Sequence, residues 1–379
     1  MPDNCPLAPA IPDAPESRPA PGADARGGVR ITSPEALLRL VPLLLGFRPE
    51  ASVVILGTQP PRGTLKVSLR YPLDDPAAPD AAACHVGHAI KVLTSQGYMR
   101  AVAIGYGPDA RVAPFIELLV KRAGEHGLQL PELLRTEHNR YWSYVCTNTV
   151  CCPPEGKPFD PAPDPVLTEL VPECVPGVLA DRETLAALVA PLKGTAAQSM
   201  RRATHQAEAH ATELVEQAQE SAGQATSRHS IAPAGIKAVQ QAITSYQQGD
   251  NAVSPDDAAW LLVSLRDMWV RDDAWCRMEP DHQPAHLRLW LDLTRLARPG
   301  YVAGPATLLA FVAWQSGNGA LANVALDRAL TDDPEYKMAH ALRRTIDTAM
   351  DPSHIKLPMT PEQVAEAYGG SGLEAMPLS

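Results

Sequence analysis

Three thiols fall within seven positions of one segment, Cys146-Thr147-Asn148-Thr149-Val150-Cys151-Cys152, which runs on into Pro153-Pro154-Glu155-Gly156. Thiols at that density point to one of three things: a metal ligand set, a redox site or a tightly built turn. Cys146 and Cys151 stand at C-x4-C spacing, within the range of a tetrahedral zinc site, and Cys152 offers a third sulfur. Adjacent cysteines point apart unless the turn between them is unusual. The segment holds no fourth ligand, and His138 and Cys174 are the candidates elsewhere in the chain. The competing reading is a turn in which reduced cysteines act as small apolar residues. The sequence favours that turn, so it predicts no cofactor, with zinc as the alternative. A redox role needs a lowered thiol pKa and exposure, and a sequence displays neither.

Two further constellations could handle an anion. Gly105-Tyr106-Gly107-Pro108-Asp109 follows a strand and precedes a helix, where free helix N–H groups can cradle phosphate. Pro108 removes a donor there, and the third glycine and a Lys-Ser/Thr pair are missing, so a plain strand–turn–helix corner is the stronger reading. In Gly46-Phe47-Arg48-Pro49-Glu50-Ala51-Ser52, Arg48 could grip a carboxylate or phosphate in bidentate fashion, with Ser52 beside it. Arg48 could equally pair with Glu50 or Asp74 on the surface. His85 and His88 sit three apart on one expected helix without an acidic partner, and His205, His210 and His229 lie on a polar stretch; all read as surface histidines. The chain has no Gly-x-Ser-x-Gly elbow, His-Glu-x-x-His helix or Walker loop.

The elements that must position these residues follow from periodicity and punctuation. Ser33-Pro34, Ser254-Pro255, Asp333-Pro334 and Thr360-Pro361 each pair a capping hydroxyl or carboxylate with a proline suited to the first helical position. Gln363 completes capping-box spacing with Thr360. Pro42 should kink or end the first helix, and Gly46 should close it. Ser52–Gly57, Thr64–Tyr71, Arg100–Gly105 and Tyr141–Cys146 read as strands, with helices over 80–96 and Val112–Glu125. Pro60–Gly63 reads as a turn, and Pro153–Pro165 as a proline-rich connector. Beyond it the pattern is helical. Residues 196–222 are helix-prone but poor in large apolar residues. Over 255–269, Ala258, Leu261, Leu262, Leu265 and Met268 share one face.

The expectation is an α/β layer, a mixed sheet with flanking helices, over about residues 29–175, then an all-helical region over about 176–350. Residues 1–28 are Pro/Ala-rich and read as a disordered tail, and 351–379 as a terminal tail with a short helix. The formal net charge of -10 disfavours general binding to nucleic acid. No apolar run approaches the ~20 residues of a membrane span. The amino terminus lacks the basic and apolar regions of a signal peptide, so a cytoplasmic setting is expected.

Two stretches carry resemblances. Ala313-Trp314-Gln315-Ser316-Gly317-Asn318-Gly319-Ala320-Leu321-Ala322, continuing through Leu326, Ala329, Leu330 and Pro334, resembles the second half of a tetratricopeptide repeat. One such unit falls short of the three an array needs, so it implies one helical hairpin. The second resemblance covers most of the chain. Leu40-Val41-Pro42-Leu43-Leu44-Leu45-Gly46-Phe47-Arg48-Pro49-Glu50-Ala51-Ser52-Val53-Val54, Arg140–Cys146, Cys151–Gly156, Ala274-Trp275 and Gly304–Pro334 occur in order. Together they resemble an uncharacterised bacterial family found mainly in actinobacteria, domain of unknown function 4192. That resemblance implies membership and no activity. From the residues, the expected function is a non-enzymatic binding or regulatory module that meets a protein partner through its helices. The alternative is an enzyme or anion-binding protein using Arg48, Ser52, Gly105 and Gly107.

Overall fold

The computed structural model describes residues 33–59, 64–73, 79–162, 177–222, 229–249, 253–350, 352 and 359–369. The expected tail over 1–28, the Pro60–Gly63 turn and the end of the proline-rich connector lie outside them. The chain divides into two compact units, Met1–Val171 and Pro172–Ser379.

The first unit is a mixed sheet with helices. Helix α1 (Pro34–Leu45) opens as its residues require: the Ser33 hydroxyl accepts from the Ala36 N–H at 3.2 Å. Pro42 does not end it. The helix runs three residues further because Leu37, Leu38, Val41 and Leu45 are buried, and Gly46 then stops it at φ 73°. The strands are β1 (Ser52–Gln59), β2 (Thr64–Pro72), β3 (Arg100–Tyr106), β4 (Gln129–Glu137), β5 (Arg140–Ser143) and β6 (Lys157–Pro158). Their order is β2-β1-β3-β4-β5-β6, with β3 and β4 parallel and the other neighbours antiparallel.

Helices α2 (Pro79–Ser95) and α3 (Asp109–Glu125) pack on one face of the sheet. Val86, Ile90, Phe115 and Leu119 meet Val53, Ile55, Ala103 and Leu133 there. Residues of the opposite parity, Val54, Leu56, Ile104 and Leu134, are buried as well. A sheet buried on both faces reads as a continuous apolar run, which explains β1. Tyr141 pairs in register with Thr136 and so shares the Ile104/Leu134 face. Its hydroxyl donates to Glu35 on α1 at 2.7 Å, which ties α1 to that face.

Strand β4 is an addition to the sequence reading. Its charged residues Glu132 and Arg135 hid it, yet both are buried. The expected strand over Tyr141–Cys146 stops at Ser143. There the Ser143 hydroxyl accepts from the Cys146 N–H at 3.2 Å and turns the chain outward.

The second unit is helical. Its helices are α4 (Arg182–Leu188), α5 (Gly194–Ala222), α6 (Ala232–Gln247), α7 (Pro255–Ser264), α8 (Met268–Cys276) and α9 (Gln283–Leu296). They continue with α10 (Ala303–Gln315), α11 (Gly319–Asp332), α12 (Lys337–Asp347) and α13 (Pro361–Gly369). Helix α5 lies against α7 and buries Met200, Ala203, Thr204 and Ala207. The single amphipathic stretch expected over 255–269 is broken after Ser264. Asp267 starts a new helix by accepting from the Trp269 N–H at 2.9 Å, and Met268 is 43% exposed. Asp333-Pro334 does not open a helix either. Asp333 follows α11, its side chain accepts from the Glu335 N–H at 3.0 Å, and α12 starts at Lys337. Ser254 and the Thr360–Gln363 pair cap as expected.

Helices α10 and α11 pack together across a short connection, where Gly317 has φ 79° and Asn318 caps α11. Ala322 is fully buried on α11. Ala322→Leu should therefore overpack the pair and lower stability by about 1–3 kcal/mol. Chemical denaturation checks this; a midpoint equal to the parent's would show that the position tolerates bulk.

Candidate metal centre

The cysteine loop leaves β5 and returns to β6, and the two strands hold its ends. Arg140 on β5 donates from Nε to the Glu155 carbonyl and from Nη2 to the Gly156 carbonyl, each at 2.8 Å. Trp142 donates from its indole N–H to the Pro154 carbonyl at 2.9 Å. Gly156 has φ 79°, and a Cβ there would come within 2.4 Å of the Trp142 ring. Glycine is thus required both by conformation and by the approach of the indole. Trp142 is held on its strand by Arg135, whose guanidinium centre lies 3.7 Å from the ring centroid. Inside the loop, Asn148 builds the turn. Its side chain accepts from the Val150 N–H at 2.9 Å, and its carbonyl accepts from the Cys152 N–H at 2.7 Å.

That turn brings the sulfurs together. The Sγ atoms of Cys146, Cys151 and Cys152 all lie within 4.8 Å of one another, and each residue is half-buried. Cys151 and Cys152 therefore converge, against the sequence expectation that neighbours point apart. All three are thiols, outside any disulfide. Ligands about 2.3 Å from a tetrahedral zinc ion sit roughly 3.8 Å apart. Closing the present arrangement around an ion takes movements of about an ångström or less. Among the described residues, this trio is the one group of three or more His, Cys, Asp or Glu side chains that converge this way. His138 is not part of it. It is exposed in the tight β4–β5 turn at φ 51°. Cys174 lies outside the described residues.

Glu35, Tyr141 and Lys157 form one linked group on α1 and the two strands that hold the loop. Burial pushes the Tyr141 hydroxyl up, helped by its bond to Glu35 and by the charges of Glu35, Cys152 and Cys151. Burial alone would raise the Glu35 carboxyl. The hydrogen bond from Tyr141, its own backbone and Lys157, 3.0 Å away, outweigh that and hold it below the usual carboxylate range.

The anion-binding constellation is not assembled. Arg48 is exposed before β1. Ser52 is fully buried and accepts from Arg70 Nε at 3.2 Å. Val53 pairs with Gly105, so Ser52, one position away, faces the other side of the sheet. Gly105 is there for packing, since a Cβ would stand 2.2 Å from the Val112 side chain on α3. The Gly107 N–H already donates to the Thr136 carbonyl at 3.0 Å. Asp109, at the start of α3, pairs with Arg135 and accepts from Tyr144, which sets a carboxylate where an anion would have to sit.

Of the five histidines read as surface residues, His88, His205 and His210 are exposed, whereas His85 and His229 are half-buried. His88 Nδ1 lies 2.8 Å from the Tyr71 hydroxyl, and the His85 ring packs on Tyr71 at 5.3 Å. His229 Nδ1 lies 2.7 Å from Asp267, with the Trp269 and Tyr368 rings around it. His205 and His210 are exposed and sit beside Glu208 and Glu213.

A family model described as Domain of unknown function (DUF4192) matches residues 34–353. The match spans most of both units, and the chain belongs to that family. No curated protein and no solved structure matches it. No helix among the described residues is long and apolar enough to cross a membrane.

Proposed function

We propose that this member of the family is a non-enzymatic, metal-holding recognition protein. Its α/β unit carries one thiophilic divalent ion, zinc by ligand chemistry, on Cys146, Cys151 and Cys152. The observation that carries the reading is the convergence of three sulfurs on a loop whose ends are already pinned by Arg140 and Trp142. Binding requires the thiols to lose their protons, so affinity should rise with pH. A zinc ion takes four ligands, and three thiolates leave one position for a water or a further group.

A structural role fits the surroundings better than a hydrolytic one. Glu35 and Tyr141 are engaged with each other, and Glu35 also with Lys157, so neither is poised as a general base. A bound ion would fix a loop that carries two exposed valines, Val145 at 44% and Val150 at 92%. Those two side chains form the surface that the loop would offer to a partner protein.

The test is metal content and spectroscopy. The full chain, purified reduced and without chelator, should carry close to one zinc per chain. The stripped protein should take up cobalt(II) with the intense near-ultraviolet bands of thiolate ligation. Absence of both from fully reduced protein would sink the proposal.

A further inference from the structure

We infer that the cysteine loop is an oxidation site, at which peroxide converts Cys146 and one of its two partner thiols into a reversible disulfide. The inference rests on the same convergence of sulfurs as the metal reading, and it assigns that site a means of release.

The geometry selects the reaction. Three thiols within 4.8 Å of one another, each half-buried and none yet in a disulfide, place a second thiol next to whichever one is oxidised first. An isolated cysteine lacks that neighbour, and Cys84 on α2 is the exposed example among the described residues. The first thiolate attacks one peroxide oxygen. The O–O bond breaks, the sulfur becomes a sulfenic acid, and the departing hydroxide takes a proton to leave as water. A second thiolate then attacks the sulfenic sulfur. The S–S bond forms, the S–O bond breaks, and a second water leaves. Two thiols lose two electrons and one peroxide gains them, so the step balances without another reactant.

Cys146 must be one of the pair. A bridge between Cys151 and Cys152 would close a ring through a single peptide unit and distort it. A bridge from Cys146 to either spans the turn that Asn148 already closes. The third thiol is left over. A metal held on three thiolates would lose two of them at once, so oxidation would release it.

Cleavage after glutamate offers a clean readout. Cuts at Glu137 and Glu155 isolate residues 138–155, which contain Cys146, Cys151, Cys152 and no other cysteine. The full chain is treated with stoichiometric hydrogen peroxide, both chelator-stripped and zinc-loaded, then alkylated, digested and weighed. The expected product is this peptide lighter by two hydrogen atoms, with one alkylated thiol, and restored by dithiothreitol. In the zinc-loaded sample, a chromophoric chelator should report metal release at the same rate. Cys146→Ser should abolish the bridge while its circular dichroism stays that of the parent, and the parent's own peptide mass decides the matter if that variant fails to fold. A peptide that gains oxygen and never loses the two hydrogens would overturn the inference even if zinc binds. A bridge that persists in a folded Cys146→Ser variant would overturn the pairing. A bridge formed in protein that never takes up zinc would leave this inference standing and remove the metal reading alone.

Discussion

Cys146→Ala should purify without stoichiometric metal, and its affinity for zinc should fall by at least roughly a hundredfold. Structural zinc sites gain ~10–16 kcal/mol on binding, so one of three or four ligands accounts for a few kcal/mol. Cys151→Ala and Cys152→Ala should behave alike, because all three sulfurs belong to one cluster. Cys84→Ala, at an exposed position of α2, is the control and should keep the parent's metal content. The loop should also loosen between its anchors. The Cys152 and Gly156 N–H groups, which donate to the Asn148 and Pro153 carbonyls, should exchange with solvent faster in the variant. Tyr141 should stay in place, since Glu35 holds it independently of the sulfurs. A structural turn predicts something different: loss of a small packed side chain, a modest fall in stability and no response to chelator. Elemental analysis of the parent and four variants separates the two. A Cys146→Ala protein as rich in zinc as its parent would refute the assignment of this ligand.

Much of the scaffold around that loop is legible from local signals. Ser33, Ser254 and Thr360 cap because a hydroxyl followed by proline satisfies an orphan N–H and presets φ, and no distant contact is needed. The β1 run is legible because both faces of its sheet are buried. Strand β4 is not, because Glu132 and Arg135 resemble surface residues. Their burial depends on partners far along the chain or across a hairpin. Ser143 donates to Glu132, offsetting part of the rise that burial imposes on its carboxyl. Trp142, Asp109 and Glu137 surround Arg135. Asp333-Pro334 misleads for the opposite reason: the local signal is sound, but the preceding helix has only just ended and the chain spends the pair on a turn.

The candidate site divides in the same way. The three cysteines and their spacing are plain in the sequence. Their convergence depends on the Asn148 turn and on the hold that Arg140 and Trp142 exert on Glu155, Gly156 and Pro154. Asn148 and Gly156 are visible turn residues, but the contacts of Gly156 with Arg140 and Trp142 become evident only once β5 and β6 are seen side by side. The anion constellation fails on parity. Ser52 and Gly105 sit on adjacent strands, yet a one-residue offset in register puts them on opposite faces of the sheet, and no local pattern reveals register.

The helical unit should lose stability as the pH falls from about 6.5 to about 4, and His286 is the cause. The residue is 1% exposed on α9, and neither ring nitrogen makes a well-formed hydrogen bond. Burial pushes its imidazole down from 6.5 to about 4; the nearby Arg277 backbone offsets a little of this, and His282 adds slightly to it. The sign follows from proton counting. Between those two values the unfolded chain binds a proton that the folded chain refuses, so stability rises with pH there. Above the upper value both states are neutral at this group, and the full contribution is present. Below the lower value both are protonated, and the loss is complete. The depression corresponds to ~3 kcal/mol, a large part of the stability of a domain this size. His286→Gln cannot titrate, so its stability should fall less steeply across the window while sharing every carboxylate effect with the parent. Urea unfolding at a series of pH values gives both curves, and their difference isolates the histidine. Parallel curves would show that the ring is solvated or paired in solution, and the buried, neutral assignment would be wrong.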